Sequence, residues 1–151
     1  MLLTIEKVAS LRKVAIFAAT PDHVLASVAQ IAYEETFEPG QAIMQEGDFG
    51  DFMYVVADGR VRVHKGDQTI ITLETGATVG ELAVLDPEPR SASVTAVTDT
   101  LLFRIDKEPF DEVMADRPEI AQGVIQALCG RIRAQSEVPA RSAAEPSPAG
   151  A

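Results

Sequence analysis

The 151-residue sequence has no tryptophan, one cysteine and two histidines, and only 5% of it is aromatic. Each shortage closes a class. A lone Cys129 cannot form an intrachain disulfide, so a disulfide-stapled scaffold is excluded and a reducing compartment is the expected setting. The other usual nitrogen ligands are His23 and His64, which leaves a structural zinc site short of its ligand count. Positive charge is also scarce. Thirteen Lys and Arg face 23 Asp and Glu, for a net charge of −10. A body this acidic repels phosphate backbones and anionic lipid heads, so neither nucleic acid nor a membrane surface is an expected partner. One small anion is still compatible with this charge, held by a single buried arginine and backbone amides. Long apolar runs are missing too, and none approaches the roughly 20 residues needed to span a bilayer. The stretch from Lys13 to Ala19 is too short and too far from Met1 to serve as a signal peptide.

What is present is a globular balance, 46% hydrophobic and 24% charged. The length suits one domain with one core. The chain reads as a cytoplasmic single domain, or as a domain of a larger protein.

Three zones follow from pattern. Up to about Ile31 the chain reads as helical. Leu2, Ile5, Val8 and Leu11 recur at helical spacing, and Thr20-Pro21-Asp22 predicts a second helix with Thr20 as N-cap. Val24, Leu25, Val28 and Ile31 supply its apolar face. From Tyr33 to Asp106 the chain reads as about eight short strands. Alternating runs around Asp58-Gly59 predict a hairpin, and Lys65-Gly66-Asp67 the next turn. Strands at this spacing suggest a jelly roll or small barrel. Helix returns at Lys107–Ala115. After the break at Asp116-Arg117-Pro118 the stripe Ile120, Val124, Ile125, Leu128 and Ile132 predicts a longer helix ending near Ala134. Beyond Ser136 the composition shifts to Ser, Ala, Pro and Gly. The expected division is a folded domain at 1–135 and a disordered tail or linker stub at 136–151.

One segment breaks the strand rhythm. Gly80 follows a strand, Glu81 to Leu85 suit one or two helical turns, and Asp86-Pro87-Glu88-Pro89 predicts a loop because neither proline suits a strand interior. Arg90 then opens the next strand. A helix start exposes free N–H groups, and with Arg90 they form an anion cradle. Glu81 beside such a cradle is repulsive unless it has another task. Accepting a hydrogen bond from a sugar hydroxyl is one, and it places a ribose next to the phosphate. The pairing points to a nucleotide with few phosphate charges, since the G-x-x-x-x-G-K-[ST] loop of triphosphate sites is absent.

Gly80-Glu81-Leu82-Ala83, then Arg90-Ser91-Ala92, resembles the phosphate-binding cassette of cyclic nucleotide-binding domains. These domains occur in catabolite activator proteins, regulatory subunits of cyclic-AMP-dependent kinase and cyclic-nucleotide-gated channels. Phe37-x-Pro39-Gly40, Ile43, Glu46-Gly47-Asp48 and Tyr54-x-x-x-x-Gly59-x-Val61 extend the resemblance over roughly Ile5 to Arg133. It implies a mainly β fold: an eight-stranded jelly-roll barrel between N-terminal helices and two C-terminal helices. It also implies roles. Glu81 would accept from the ribose 2′-hydroxyl, and Arg90 would pair with the exocyclic phosphate oxygens. The N–H groups of Ala83 and Ser91 would complete the phosphate site, Gly80 would let the backbone approach the ribose, and Leu82 lies within the cassette. Ser91 inclines the reading to cyclic AMP and leaves cyclic GMP open. Candidate lids on the last helix are Leu128, Arg131, Ile132 and Arg133.

The implied function is a regulatory sensor module whose C-terminal helix moves on binding a cyclic nucleotide. It needs no catalytic residue, metal or cofactor, and acts through an effector domain or partner protein. No helix-turn-helix is read after the last helix, so the chain alone is not expected to act as a transcription factor. The rival reading is an interaction module of the same fold that binds no ligand. A metal-dependent jelly-roll enzyme is excluded because two distant histidines cannot build its site. No Ser–His or Cys–His pair with an orienting partner stands out either. His64 reads as an outward strand residue, His23 as solvated, and Cys129 as packing.

Overall fold

The computed structural model describes residues 4–144. Three helical pieces come first: α1 (Thr4–Leu11), a 3-10 turn (Ala15–Phe17) and α2 (Asp22–Ile31). Ten strands follow: β1 (Tyr33–Phe37), β2 (Ala42–Met44), β3 (Phe49–Gly50), β4 (Phe52–Asp58), β5 (Arg60–Lys65), β6 (Gln68–Glu74), β7 (Thr78–Val79), β8 (Glu88–Pro89), β9 (Ser93–Ala96) and β10 (Thr100–Asp106). A 3-10 helix, Glu81–Val84, sits between β7 and β8. Helices α3 (Lys107–Asp116) and α4 (Pro118–Ala144) close the described chain.

The strands form two four-stranded antiparallel sheets, β1-β10-β4-β7 and β2-β9-β5-β6, and a two-stranded ribbon, β3-β8. This is the expected jelly-roll arrangement with flanking helices, although the two sheets are not joined into a closed barrel. Strand β4 explains how the core divides. Successive side chains point to opposite faces. Met53 and Val55 join Phe103 and Ile105 against the helices, while Tyr54 and Val56 face Met44, Val61 and Val94 of the second sheet. Both faces are covered, so the run Met53-Tyr54-Val55-Val56 is apolar without alternation. Phe17 packs edge-on to Phe110 at 5.8 Å, tying the N-terminal helices to α3.

Several local expectations are corrected. Asp58-Gly59 does not make a hairpin, because β4 pairs with β10 and β7 while β5 pairs with β6 and β9. The turn passes the chain from one sheet to the other. Gly59 takes φ +121°, and a methyl there would overlap Thr100 and the Asp99 carbonyl at the return crossing. The two crossings are bonded together: Arg60 N–H donates to Thr98 Oγ1 at 3.1 Å and Val97 N–H to the Arg60 carbonyl at 2.9 Å. The next expected turn, Lys65-Gly66-Asp67, does form a hairpin, between β5 and β6. His64 is only half-exposed, its ring bridging the Gly66 carbonyl and Thr95 Oγ1.

Thr20 does not cap α2. The Pro21 carbonyl receives Val24 and Leu25, and the Thr20 hydroxyl is buried without a partner. Ile5 is 75% exposed, so α1 buries only Val8 and Leu11 of the expected stripe; Leu2 lies outside the described residues. Glu88-Pro89 forms a short strand after all, tolerated because it pairs on one side only, with β3. Arg90 lies before β9, which starts at Ser93. On α4, Ile120 and Val124 are buried but Ile125 and Ile132 are exposed. That helix continues past Ala134 to Ala144. The rest of the expected tail, 145–151, lies outside the described residues. No described helix is long and apolar enough to cross a membrane.

Candidate functional site

The 3-10 helix and the bend at Arg90 frame a cavity of about 310 Å³. That is at the small end of the roughly 300–1,000 Å³ typical of ligand pockets. Gly80, Leu82, Ala83, Arg90 and Ser91 line one side, and Met44, Val63, Leu73, Val79 and Val94 give an apolar floor. The structure therefore brings five of the six expected residues to one cavity. The sixth, Glu81, heads the same 3-10 helix.

Arg90 is 8% exposed and has no ion pair among the described residues. Burial lowers the pKa of its guanidinium from the ordinary arginine value. A buried cation without a carboxylate is unfavourable unless something else compensates. Two features hold it. Its Nη2 donates to the Phe52 carbonyl at 2.7 Å, and its Cζ lies 4.6 Å from the centre of the Phe52 ring. Glycines make the room: a methyl at Gly50 or at Gly80 would overlap the guanidinium. Gly80 also takes φ +70°, a left-handed turn that suits glycine. Gly47 and Gly59, part of the motif pattern, do not line the cavity.

The expected backbone donors are in different states. Ala83 N–H already donates to the Gly80 carbonyl at 2.9 Å, because the short helix expected at Glu81–Leu85 winds as a 3-10 helix over Glu81–Val84. Ser91 lies outside any strand, and its N–H makes no backbone hydrogen bond among the described residues.

Glu81 meets α4. Arg131 Nη2 donates to its Oε1 at 2.6 Å, with the Glu81 side chain 14% exposed. The other carboxylate oxygen, Oε2, is buried without a partner. One oxygen is thus fixed and the other is free to accept. Of the four candidate lids, Arg131 makes this pair and Leu128 borders a space of about 290 Å³ with Leu82, Leu85, Asp86 and Glu88. Ile132 and Arg133 are exposed. Leu82 borders both this space and the main cavity, so it stands between α4 and any ligand.

Sequence reasoning missed the pocket's supporting residues. Phe52 and Arg104 carry no motif. Arg104 lies with its Cζ 3.7 Å from the centre of the Phe52 ring, and it is held by Asp106 at 2.8 Å and Glu35 at 3.6 Å. Burial alone would lower its pKa, yet hydrogen bonding to Asp106 and Tyr54 leaves the net shift upward.

Comparison with known proteins bears on this arrangement. The family model for the cyclic nucleotide-binding domain matches residues 34–117. A CRP-like cAMP-activated global transcriptional regulator of Mycobacterium tuberculosis (strain CDC 1551 / Oshkosh) is 27% identical over 128 residues, 82% of this chain. This chain spans 57% of that regulator's length. A cGMP-dependent protein kinase of Toxoplasma gondii is 42% identical over 82 residues, 54% of this chain and 8% of the kinase. Among solved structures, the N-terminal domain of a transcriptional regulator from Streptomyces coelicolor A3(2) superposes with TM-score 0.80 at 30% identity. That match covers 85% of this chain and 94% of the other.

Proposed function

We propose, from the premise that this chain belongs to the cyclic nucleotide-binding domain family, that its 310 Å³ cavity binds a cyclic nucleotide and that the chain acts as a regulatory sensor module. The observation that carries the reading is Arg90. It is a buried cation that lines the cavity, with glycines cut back around it, no direct ion pair among the described residues, and only the longer-range charge of Asp51 in its favour. A ligand with one negative charge supplies what it lacks. The same chemistry assigns the free Oε2 of Glu81 to a ribose 2′-hydroxyl and the Ser91 N–H to a phosphate oxygen. Gly80, Leu82 and Ala83 form the wall. The Ala83 N–H must first loosen its bond to Gly80, so binding is expected to rewind the 3-10 helix.

Cyclic AMP is the proposed ligand, on the strength of Ser91. The relatives' names point both ways, one to cyclic AMP and one to cyclic GMP. Output would pass through Leu82 and Glu81 to Leu128 and Arg131 on α4. The residues from about 136 onward would connect to an effector domain or partner protein. The acidic charge of this chain argues against its touching nucleic acid itself. The site proposes no chemistry on the ligand and no role for a metal or cofactor.

One observation favours a second reading, an interaction module that binds no ligand. Glu81 and the Ala83 N–H are already bonded within the protein. Calorimetric titration with cyclic AMP, cyclic GMP and 2′-deoxy cyclic AMP decides between them. The sensor reading expects saturable binding of cyclic AMP, tighter than cyclic GMP. It also expects Glu81→Gln to weaken cyclic AMP about tenfold while leaving the 2′-deoxy analogue unchanged. Absence of binding by both cyclic nucleotides would leave the interaction module.

A further inference from the structure

The described surface offers other candidates: an acidic hollow around Glu38, Asp58 and Asp99, and the exposed Ile125 and Ile132 on α4. The first has no second feature pointing to a cation, and nothing in the structure shows what covers the second. The arrangement around Phe52 goes further.

Phe52 supplies two holds on Arg90 at once. Its carbonyl accepts from Nη2 at 2.7 Å, and its ring lies 4.6 Å from the guanidinium carbon. The same ring carries a second guanidinium, that of Arg104, at 3.7 Å. The ring is itself fixed, edge-on to Tyr54 at 5.4 Å and 79°. The two cations differ in one respect. Arg104 is paired with Asp106 and Glu35, whereas Arg90 makes no direct ion pair among the described residues and has only the longer-range charge of Asp51 in its favour. Arg104 therefore anchors one side of the ring and Arg90 is presented from it.

We propose that Phe52 is a positioning residue for the anion site: it holds the Arg90 guanidinium in its binding plane before any ligand arrives. This rests on the reading of the cavity as a cyclic nucleotide site. A free arginine has many rotamers, and ordering them on binding weakens affinity. The ring quadrupole attracts the cation, most strongly where water is partly excluded. The carbonyl fixes the direction of one Nη, while Nε and the other Nη lie against Gly50 and Gly80, so the plane of the group is held on three sides. Planar recognition of a phosphate needs that fixed orientation, not charge alone. Leucine at 52 would keep the carbonyl and most of the apolar volume but lose the ring face.

The test combines affinity with a readout of orientation. The two phosphorothioate diastereomers of cyclic AMP differ only in which exocyclic oxygen is replaced by sulfur. A fixed guanidinium distinguishes them; a mobile one averages over them. Phe52→Leu is expected to weaken cyclic AMP about five- to tenfold and to bring the diastereomer affinity ratio towards one. Phe52→Tyr should restore both. Equal weakening of both diastereomers at an unchanged ratio, or unchanged affinity, would overturn the proposal and leave the nucleotide reading standing. Failure of the unmodified protein to bind any of these ligands would overturn both. A second measurement needs no variant. In the ligand-free protein, NMR of arginine side chains should show the Arg90 Nε–H shifted by the ring current and rotation about its Nε–Cζ bond slowed. Free rotation there would overturn the proposal.

Discussion

Arg131 on α4 and Glu81 on the 3-10 helix meet at 2.6 Å, the one ion pair among the described residues that joins the last helix to the cassette. The pair is only partly exposed, and it fixes one oxygen of Glu81 while the other stays unpartnered. A double-mutant cycle on Arg131→Ala and Glu81→Ala, read by denaturant unfolding without ligand, should give a coupling of about 1 kcal/mol. Arg131→Ala should also speed amide exchange in α4 from about Leu128 onward. A coupling near zero would make the contact incidental to the position of α4.

Arg90 should trade stability for binding. Replacing it by Met keeps the unbranched stem and removes a desolvated charge. Arg90→Met is expected to weaken cyclic AMP by at least about 30-fold, since removing one partner of a desolvated charge pair costs roughly 2–5 kcal/mol. The melting temperature of the ligand-free protein should stay level or rise, because burial of a cation without a direct ion pair disfavours the fold more than the longer-range charge of Asp51 favours it. A fall of more than about 5 °C would show that Arg90 is a structural residue first.

Gly123 on α4 lies directly over Thr20, and a methyl there would overlap the Thr20 hydroxyl. Gly123→Ala should therefore destabilise by about 1–3 kcal/mol despite alanine's better helix propensity. Thr20→Ala removes a buried hydroxyl without a partner and should be neutral or stabilising. The double variant should recover most of the loss, as measured by chemical denaturation. Additive losses would mean the clash is relieved elsewhere.

Tyr54 gives the fold an alkaline limit. Burial, then the charge of Glu35, pushes its phenol up to about 12. An unfolded tyrosine ionises near 10. The neutral phenol is thus favoured in the folded state. This contribution is complete below about pH 10 and is lost as pH rises through 12. The stability gap between the unmodified protein and Tyr54→Phe should shift against the former by about 2–3 kcal/mol across that window. A constant gap from pH 9 to 12 would overturn the assignment.

Much of this was legible in the sequence, for reasons that differ by element. The grouping of these residues was readable because the anion cradle expected there needs particular residue types in order: Gly80 at a turn, Glu81 next, Arg90 after a proline loop. The layering of helices and strands followed from periodicity. Asp58-Gly59 misled because the same dipeptide turns a hairpin or carries a chain between sheets, and only the partners of β4 and β5 distinguish these. The stripe on α4 misled because an apolar face shows what is available for burial and not what covers it; Ile125 and Ile132 remain exposed. Arg131 was one lid candidate among four, and its pairing with Glu81 across the fold has no local signal. Phe52 and Arg104 act through contacts formed only when β4 and β10 are side by side.

The close approach of Gly123 to Thr20 has a mechanical consequence for α4. It fixes the helix near its start, so if ligand binding released the contacts of Leu128 and Arg131 the rest would swing as a lever with an unequal arm. At 1.5 Å rise per residue, Arg131 stands about 12 Å beyond the pin and Ala144 about 30 Å. A tilt of about 10° at Gly123 would carry Arg131 roughly 2 Å, enough to break its bond to Glu81, and Ala144 roughly 5 Å. Whatever is attached beyond α4 would feel a displacement more than twice that at the cavity. In such a tilt the gain would be set by where a single glycine sits along the helix.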